Sequence, residues 1–527
     1  MGPSDTPTAT FNGKLALLLA MAMFVLVVDT SIMNVSISAV VRDVGTTVSG
    51  VQSAIALEAL VSAAFILIGS KVGDLIGRKL AYVIGLLCYA TGAIAMTLAQ
   101  SLLPIIIFWA VIGGLGASLL LPAMQSLIHG NFHGAEQKRV YALVGASAAI
   151  AAAVGPLLGG LITTLLSWRV AFALEAVVIA VVLLGIKLVH DVPYTGSRQV
   201  DAVGSVLSVV GMGGIVIGIL VWQEGGEAVG VLIAVGLFGL GGLGYWLVRR
   251  KRNGKAVLLD PGLFSSKPFR LGVSQQLLQQ IALGGTMIVL PIYLQMVLGY
   301  NALQAGLSIA PLSLSMFAIA MLAGRRSGTR RPASLVMWGF LLLLLGLLIL
   351  IPIVPRADSG WWLLVPLLIA GCGLGLLVSQ LNNYTLSPIS DERVSEAAGV
   401  NSAAGSFGLS FGLAFAGAIM LAALSLIFTS MAMSSTVLPS DEKEQVAAVL
   451  EDDAQIMSNV ELEELLVGQP ADIQAEIIRI NTDARPIALQ LALLIPIFAA
   501  LLGLLNTIRM RRVPDPPTAA QSEGLVL

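Results

Sequence analysis

Charge is what this sequence has least of. Only 11% of its 527 residues are Asp, Glu, Lys or Arg, whereas 57% are hydrophobic, and mean hydropathy is +0.92. Soluble chains carry about 25% charged residues, so a surface of this size cannot face water throughout. A soluble enzyme and a nucleic-acid binder are excluded at once. The net charge of −1 says nothing about partners, because the two signs occupy different stretches of the chain. Cysteine and histidine are scarce too. Cys88 and Cys372 both lie inside apolar runs, with neither a disulfide framework nor metal spacing. His129, His133 and His190 are too few and too scattered for a metal cluster. No metal and no cofactor is expected.

What is present is a succession of long apolar runs. A helix crossing the bilayer core needs about 20 residues. Runs of that size lie at 15–37, 51–70, 80–99, 102–128, 141–166, 170–189, 202–222, 228–248, 271–298, 302–323, 333–354, 361–385, 401–429 and 487–507. The first exceeds a signal-peptide core and lacks an Ala-x-Ala site, so it reads as a retained membrane helix. The expected fold is an all-α polytopic membrane protein with 14 spans, an even number that places both termini on one side. With the N-terminus cytoplasmic, 23 of the 29 basic residues fall in inside segments and none falls in a span. By the positive-inside rule both termini are then cytoplasmic.

The loops divide the chain. A cytoplasmic tail, 1–14, precedes a six-helix bundle over 15–189; two further helices and a basic linker fill 190–270. A second six-helix bundle over 271–507 is followed by a tail, 508–527. The second bundle contains an outer loop, 430–484, with twelve acids and two bases. Ser458 and Glu461 have capping-box spacing and Pro470 suits a helix start, so short amphipathic helices are expected there. The loop reads either as a solvated linker or as an acidic vestibule or cap over the outer mouth.

Three motifs carry more. Gly69-Ser-Lys-Val-Gly73-Asp74-Leu-Ile-Gly77-Arg78-Lys79 joins spans two and three. Its glycines permit close approach and a tight turn, and Asp74 can accept from helix amides or from Arg78. Span five holds Gly145, then Gly155-Pro156-Leu-Leu-Gly159-Gly160, a smooth face beside a bend. Span one contains Val28-Asp29-Thr30-Ser-Ile-Met-Asn34-Val35. Together these resemble the signature loop, the antiporter motif and the first-helix motif of the major facilitator superfamily, in particular its fourteen-helix drug:proton antiporters. The resemblance implies two six-helix bundles with two inserted helices, a loop that latches the halves on the cytoplasmic side, and multidrug efflux. Ser167-Trp168-Arg169 and Leu290-Pro-Ile-Tyr-Leu-Gln295 fit the same family. One departure stands out: the family's span-four arginine, tied to proton coupling, falls near Ala110 here. No Lys or Arg lies between Lys79 and Lys138.

Three acids, Asp29, Glu58 and Glu175, lie inside spans. Each costs about 2.5–3.5 kcal/mol near mid-membrane on insertion scales, so each needs a reason, and proton coupling or substrate binding supplies one. Asp29 and Glu58 sit at similar depth and could share a cavity, whereas Glu175 could be interfacial or pair with Arg169. Gln275, Gln276, Gln279 and Gln280 form two i,i+4 pairs in span nine. They are candidates, with Asn34 and Gln295, for lining the path or bonding between helices; Gln380, Asn382 and Asn383 are weaker ones. The expected protein is a monomeric exporter of lipophilic, cationic compounds driven by protons, with membrane lipids as its surroundings. The alternative is an exporter of a lipid or endogenous metabolite. An integral-membrane enzyme would need a clustered constellation at one face, and a channel a filter repeat; neither is visible.

Overall fold

The computed structural model describes residues 12–132, 134–191, 201–223, 226–325, 331–389, 393–439, 443, 466–467 and 470–513. His133, Arg198, Arg326, Arg330, the Ser458–Glu461 spacing and most of the outer acidic loop lie outside the described residues, as do the tails 1–11 and 514–527.

Fourteen helices are long and apolar enough to cross a membrane. They are α1 (Gly13–Val35), α2 (Val48–Ile76), α3 (Arg78–Leu98), α4 (Leu102–Asn131), α5 (Gly134–Leu165), α6 (Trp168–Leu184) and α7 (Ala202–Gln223). They continue as α8 (Val229–Arg252), α9 (Lys267–Val297), α10 (Ala302–Arg325), α11 (Pro332–Ile353), α12 (Gly360–Leu386), α13 (Val394–Ser434) and α14 (Ala471–Arg511). Local chemistry marks their starts. Asn12 accepts from the Leu15 amide at 3.1 Å, Thr47 from Gly50 at 3.0 Å and Asp201 from Gly204 at 3.0 Å, each satisfying an amide that a helix leaves unpaired in its first turn.

Packing sorts the helices. In the first half α1 lies against α5 and α6, α6 against α3, and α4 against both α3 and α2. In the second, α9 lies against α13 and α14, α14 against α11, and α12 against α11 and α10. Two seams join the halves, α5 with α10 and α2 with α13. Each seam pairs the second helix of one half with the fifth of the other, the mark of a pseudo-two-fold arrangement. Helices α7 and α8 pack on one another, and α7 also touches both α2 and α13.

Two elements outrun their apolar runs. Helices α13 and α14 are each 41 residues long, against the expected 401–429 and 487–507. The 430–484 segment therefore does not begin and end as loop, and the helix starting after Pro470 is the final span itself rather than a separate short one. Ile473, Ile477, Ile480 and Ala484 recur at helical spacing and bury against Phe428, Ala432 and Leu438, so a stripe continues where overall hydropathy fails. Glu476 accepts from Ser435 at 2.6 Å and from Arg479 at 2.8 Å.

Candidate functional site

Helix α1 has two working faces. On one, Asp29 is wholly buried. It accepts from the Tyr89 hydroxyl of α3 at 2.5 Å and from the Trp109 indole N–H of α4 at 3.0 Å to each oxygen. Glu175 of α6 is near enough to act on Asp29 by charge, and neither of its carboxyl oxygens makes a hydrogen bond. Glu58 of α2 lies close enough to act on Asp29 by charge, and Tyr89 feels all three acids. Glu58 and Glu175 are 7% and 4% exposed. The three acids found separately along the sequence thus form one cluster, and among the described residues none of its carboxyls takes part in an ion pair. The pairing of Glu175 with Arg169 is not realised. Arg169 instead binds Asp43 and the Ala99 carbonyl at the helix ends, beside a Trp168 N–H that donates to Asp43 at 2.7 Å.

Trp109 reaches Asp29 because residues Ile105–Gly113 form a π-helical stretch. The wider turn resets the phase of α4 and stands its ring edge-on to Phe172, 6.4 Å between centroids. Neither Tyr89 nor Trp109 is evident in the sequence as a site residue, since aromatics in apolar runs read as packing. The available signal is that a buried Tyr hydroxyl or Trp N–H needs a partner.

On the other face of α1, Thr30, Ser31 and Asn34 border a central cavity of about 260 Å³. Across it stand Pro156 of α5, Gln280 of α9 and Ser313 of α10. Of the four span-nine glutamines only Gln280 lines it. Gln275 donates to the Gly503 carbonyl at 3.0 Å, Gln279 is buried, and the Gln276 amide lies against Gly405. Gln295 accepts from Ser38 across the halves, and Asn382 from Asn401 at 3.3 Å. Gln380 is buried and donates to Ser379 at 3.3 Å, while Asn383 is exposed.

The glycines of α5 serve both neighbours. A Cβ at Gly159 would stand 2.8 Å from the Cα of Ile32 in α1, and one at Gly160 2.8 Å from the Cα of Leu303 in α10. Gly155 lies against Ser31, and Gly306 of α10 against the Pro156 carbonyl. Gly145 departs from expectation: a Cβ there would meet nothing within 4 Å.

The sequence pattern of the Major Facilitator Superfamily matches residues 19–413. The chain belongs to the Major Facilitator Superfamily. Among its relatives, multidrug resistance protein Stp of Mycobacterium tuberculosis is 29% identical over 414 residues, 77% of this chain and 75% of that protein. Multidrug export protein EmrB of Escherichia coli is 26% identical over 407 residues, 74% of this chain and 78% of that protein. The fold is shared with a bacterial homologue of the human lysosomal transporter Spinster, solved inward-facing and unoccupied. That match has TM-score 0.65 and 12% identity and covers 97% of this chain and 100% of that one. The protein is a multi-pass membrane transporter related to multidrug efflux proteins, not an enzyme.

The loop Gly69–Lys79 turns tightly between α2 and α3. Gly77 adopts φ +100° between α2 and α3, a region that favours glycine. A Cβ at Gly69 would stand 2.9 Å from the Ser118 carbonyl carbon, and one at Gly73 3.4 Å from Ala81. Asp74 meets Arg78 at 3.4 Å, and the Lys79 amide donates to Asp191, just after α6, at 3.0 Å. These contacts lie within the first half. At this face the halves meet by direct packing of Ile66 and Leu67 of α2 with Ala397 and Val400 of α13, and also through the linker after α8. Asp260 binds Lys251 and, at 2.7 Å, Arg393, and its amide donates to Glu396 of α13 at 2.6 Å. Burial alone would push the Asp260 carboxyl up. The Lys251 hydrogen bond, the Gly262 amide and the charges of Arg393 and Lys251 outweigh it, holding the group below its ordinary range. Loop and linker border a common cavity of about 510 Å³.

Proposed function

We propose that the protein exports amphipathic small molecules across the cytoplasmic membrane in exchange for protons, by alternating access. The observation that carries this is the cluster of Asp29, Glu58 and Glu175 around Tyr89, on the reverse side of the helix that borders the central cavity. Buried charges are tolerated when paired and costly when not. Carboxyls massed with no cation are therefore suited to holding a proton among them and passing it on. Trp109 stands beside Ala110, where the family's arginine would be, and holds Asp29 with an uncharged donor.

The positive-inside rule puts the face bearing the signature loop, the basic linker and Arg509–Arg511–Arg512 in the cytoplasm. The seams α5–α10 and α2–α13 are where the halves would rock. A proton moving inward supplies about 2.3 kcal/mol per 100 mV, and movement of α1 would carry that work to the cavity on its other side. In this reading Asp29 is the principal proton carrier, with Glu58 and Glu175 as its neighbours in the relay.

Proteoliposomes under an imposed pH gradient test the proposal. Adding an amphipathic dye to the wild type should discharge the gradient, and Asp29→Asn should abolish the discharge while leaving the protein monodisperse. A gradient that the dye discharges equally well in Asp29→Asn would overturn the proton site.

A further inference from the structure

The central cavity and the acid cluster share α1 but not a face. At 100° per residue, Asp29 stands roughly 150° around the helix from the middle of the stripe formed by Leu26, Val27, Thr30, Ser31, Asn34 and Val35. None of the three acids reaches the cavity, and every residue lining it is uncharged. An unpartnered ion moved there from water would meet a penalty of several kcal/mol with no opposite charge to offset it. A quaternary ammonium, which cannot donate a hydrogen bond, would gain only ion–dipole attraction in return.

What the wall does offer is uncharged amides and hydroxyls, with unpartnered hydrogen-bond acceptors among them. The side-chain oxygens of Asn34 and Gln280 are buried without partners, and an unmade bond at a buried polar atom costs about 1–3 kcal/mol. The Ser31 hydroxyl spends its proton on the Val27 carbonyl at 3.2 Å, which leaves its oxygen free to accept. The remaining lining is largely aliphatic, with Met287 and Met316 among it. Methionine adapts to varied apolar shapes.

We infer that the central cavity takes compact, uncharged amphipathic molecules bearing hydroxyl or amide N–H donors, and that cargo and proton occupy separate sites on opposite faces of α1. This rests on the export reading above and differs from the cationic cargo expected from sequence. Cargo and proton then do not compete for a single carboxylate; movement of α1 is what links them.

A matched pair of naphthalimide dyes tests the inference, one with a hydroxyethyl arm and the other with a trimethylammonioethyl arm. Both are titrated against the purified full-length protein and then followed into proteoliposomes under a pH gradient. The hydroxyethyl dye should bind roughly tenfold or more tightly, the equivalent of about 1.4 kcal/mol. Gln280→Glu, which sets a carboxylate in the cavity, should reverse the order. Ser313→Asp provides a second such variant if the first fails to assemble. Preference of the wild type for the cationic dye, with gradient-driven uptake intact, overturns this inference and leaves the export reading in place. Failure of both dyes to bind or to move overturns the two together.

Discussion

The seam between α5 and α10 allows a quantitative test of how the halves move. Replacing Gly160 by Ala puts a methyl group 2.8 Å from the Leu303 Cα and 3.0 Å from the Ala302 carbonyl carbon. Both are backbone atoms, so no side-chain rotation relieves the clash and α10 itself must give way. Overpacking of this kind costs about 1–3 kcal/mol. Because the seam in this structure is closed, the whole cost falls on the closed state. Gly145→Ala in the same helix is the control, since its new methyl group meets nothing within 4 Å. Any gain in helix propensity, up to about 1 kcal/mol, is common to both variants and cancels between them. The closed-to-open ratio should then fall roughly 5- to 150-fold in Gly160→Ala relative to Gly145→Ala. The readout is cross-linking by a short bis-maleimide between cysteines at Thr164 and Leu303, where the Leu303 amide donates to the Thr164 hydroxyl at 3.0 Å. Cys88 and Cys372 are first changed to alanine. Equal cross-linking and equal transport in the two variants would refute a seam made by backbone contact.

Trp109→Phe keeps a ring against Phe172 but deletes the donor to both Asp29 oxygens; it should cost about 1–3 kcal/mol, measured by thermal unfolding in detergent, and an unchanged melting curve would remove Trp109 from the site. Gly77→Ala should destabilise by a similar 1–3 kcal/mol, because its φ of +100° suits glycine and the new methyl group would lie 2.9 Å from an Asp191 oxygen; expression and melting temperature report it, and wild-type values would count against the turn. The Asp260 tie should be insensitive to pH between 8 and about 5. Its carboxyl is held below the ordinary value of about 3.9, so its stabilisation is complete above that value and fades as pH drops through the lowered one. A spin label at Ser265 should gain mobility only below about pH 4, and a transition near pH 6 to 7 would assign the tie to another group.

The spans were legible in the sequence because the bilayer imposes a length and a composition that any apolar run must meet. The three acids stood out for the same reason: each is expensive in a membrane. The similar depth of Asp29 and Glu58 was legible too, but the joining of Glu175 to them was not. Asp29 lies six residues before the end of α1 and Glu175 seven after the start of α6. That equal depth becomes proximity only once α1 packs on α6, which hydropathy does not record. Trp109 escaped notice because phase in a helix is read by counting 3.6 residues per turn, and a π-helical stretch breaks the count. The reach of α14 was missed because a mean over Ala471–Ala484 dilutes its isoleucine stripe with acids. Gly145 was grouped with the other α5 glycines on spacing alone, which cannot tell a packed face from an open one.

Helix α13 is one unbroken rod of 41 residues, roughly 60 Å at 1.5 Å per residue, twice the depth of the hydrocarbon layer. Its first turn holds the Asp260 linker, its middle accepts the seam through the Ser410 hydroxyl on the Ala56 carbonyl, and its tip is bolted to α14 by Phe428 and Ala432. Such a rod is a lever. A tilt of about 10° around its centre swings the two ends about 5 Å in opposite senses. An antibody fragment that clamps the tip therefore has a mechanical grip on the opposite mouth, and an inhibitor of this protein need not enter the membrane to act on it.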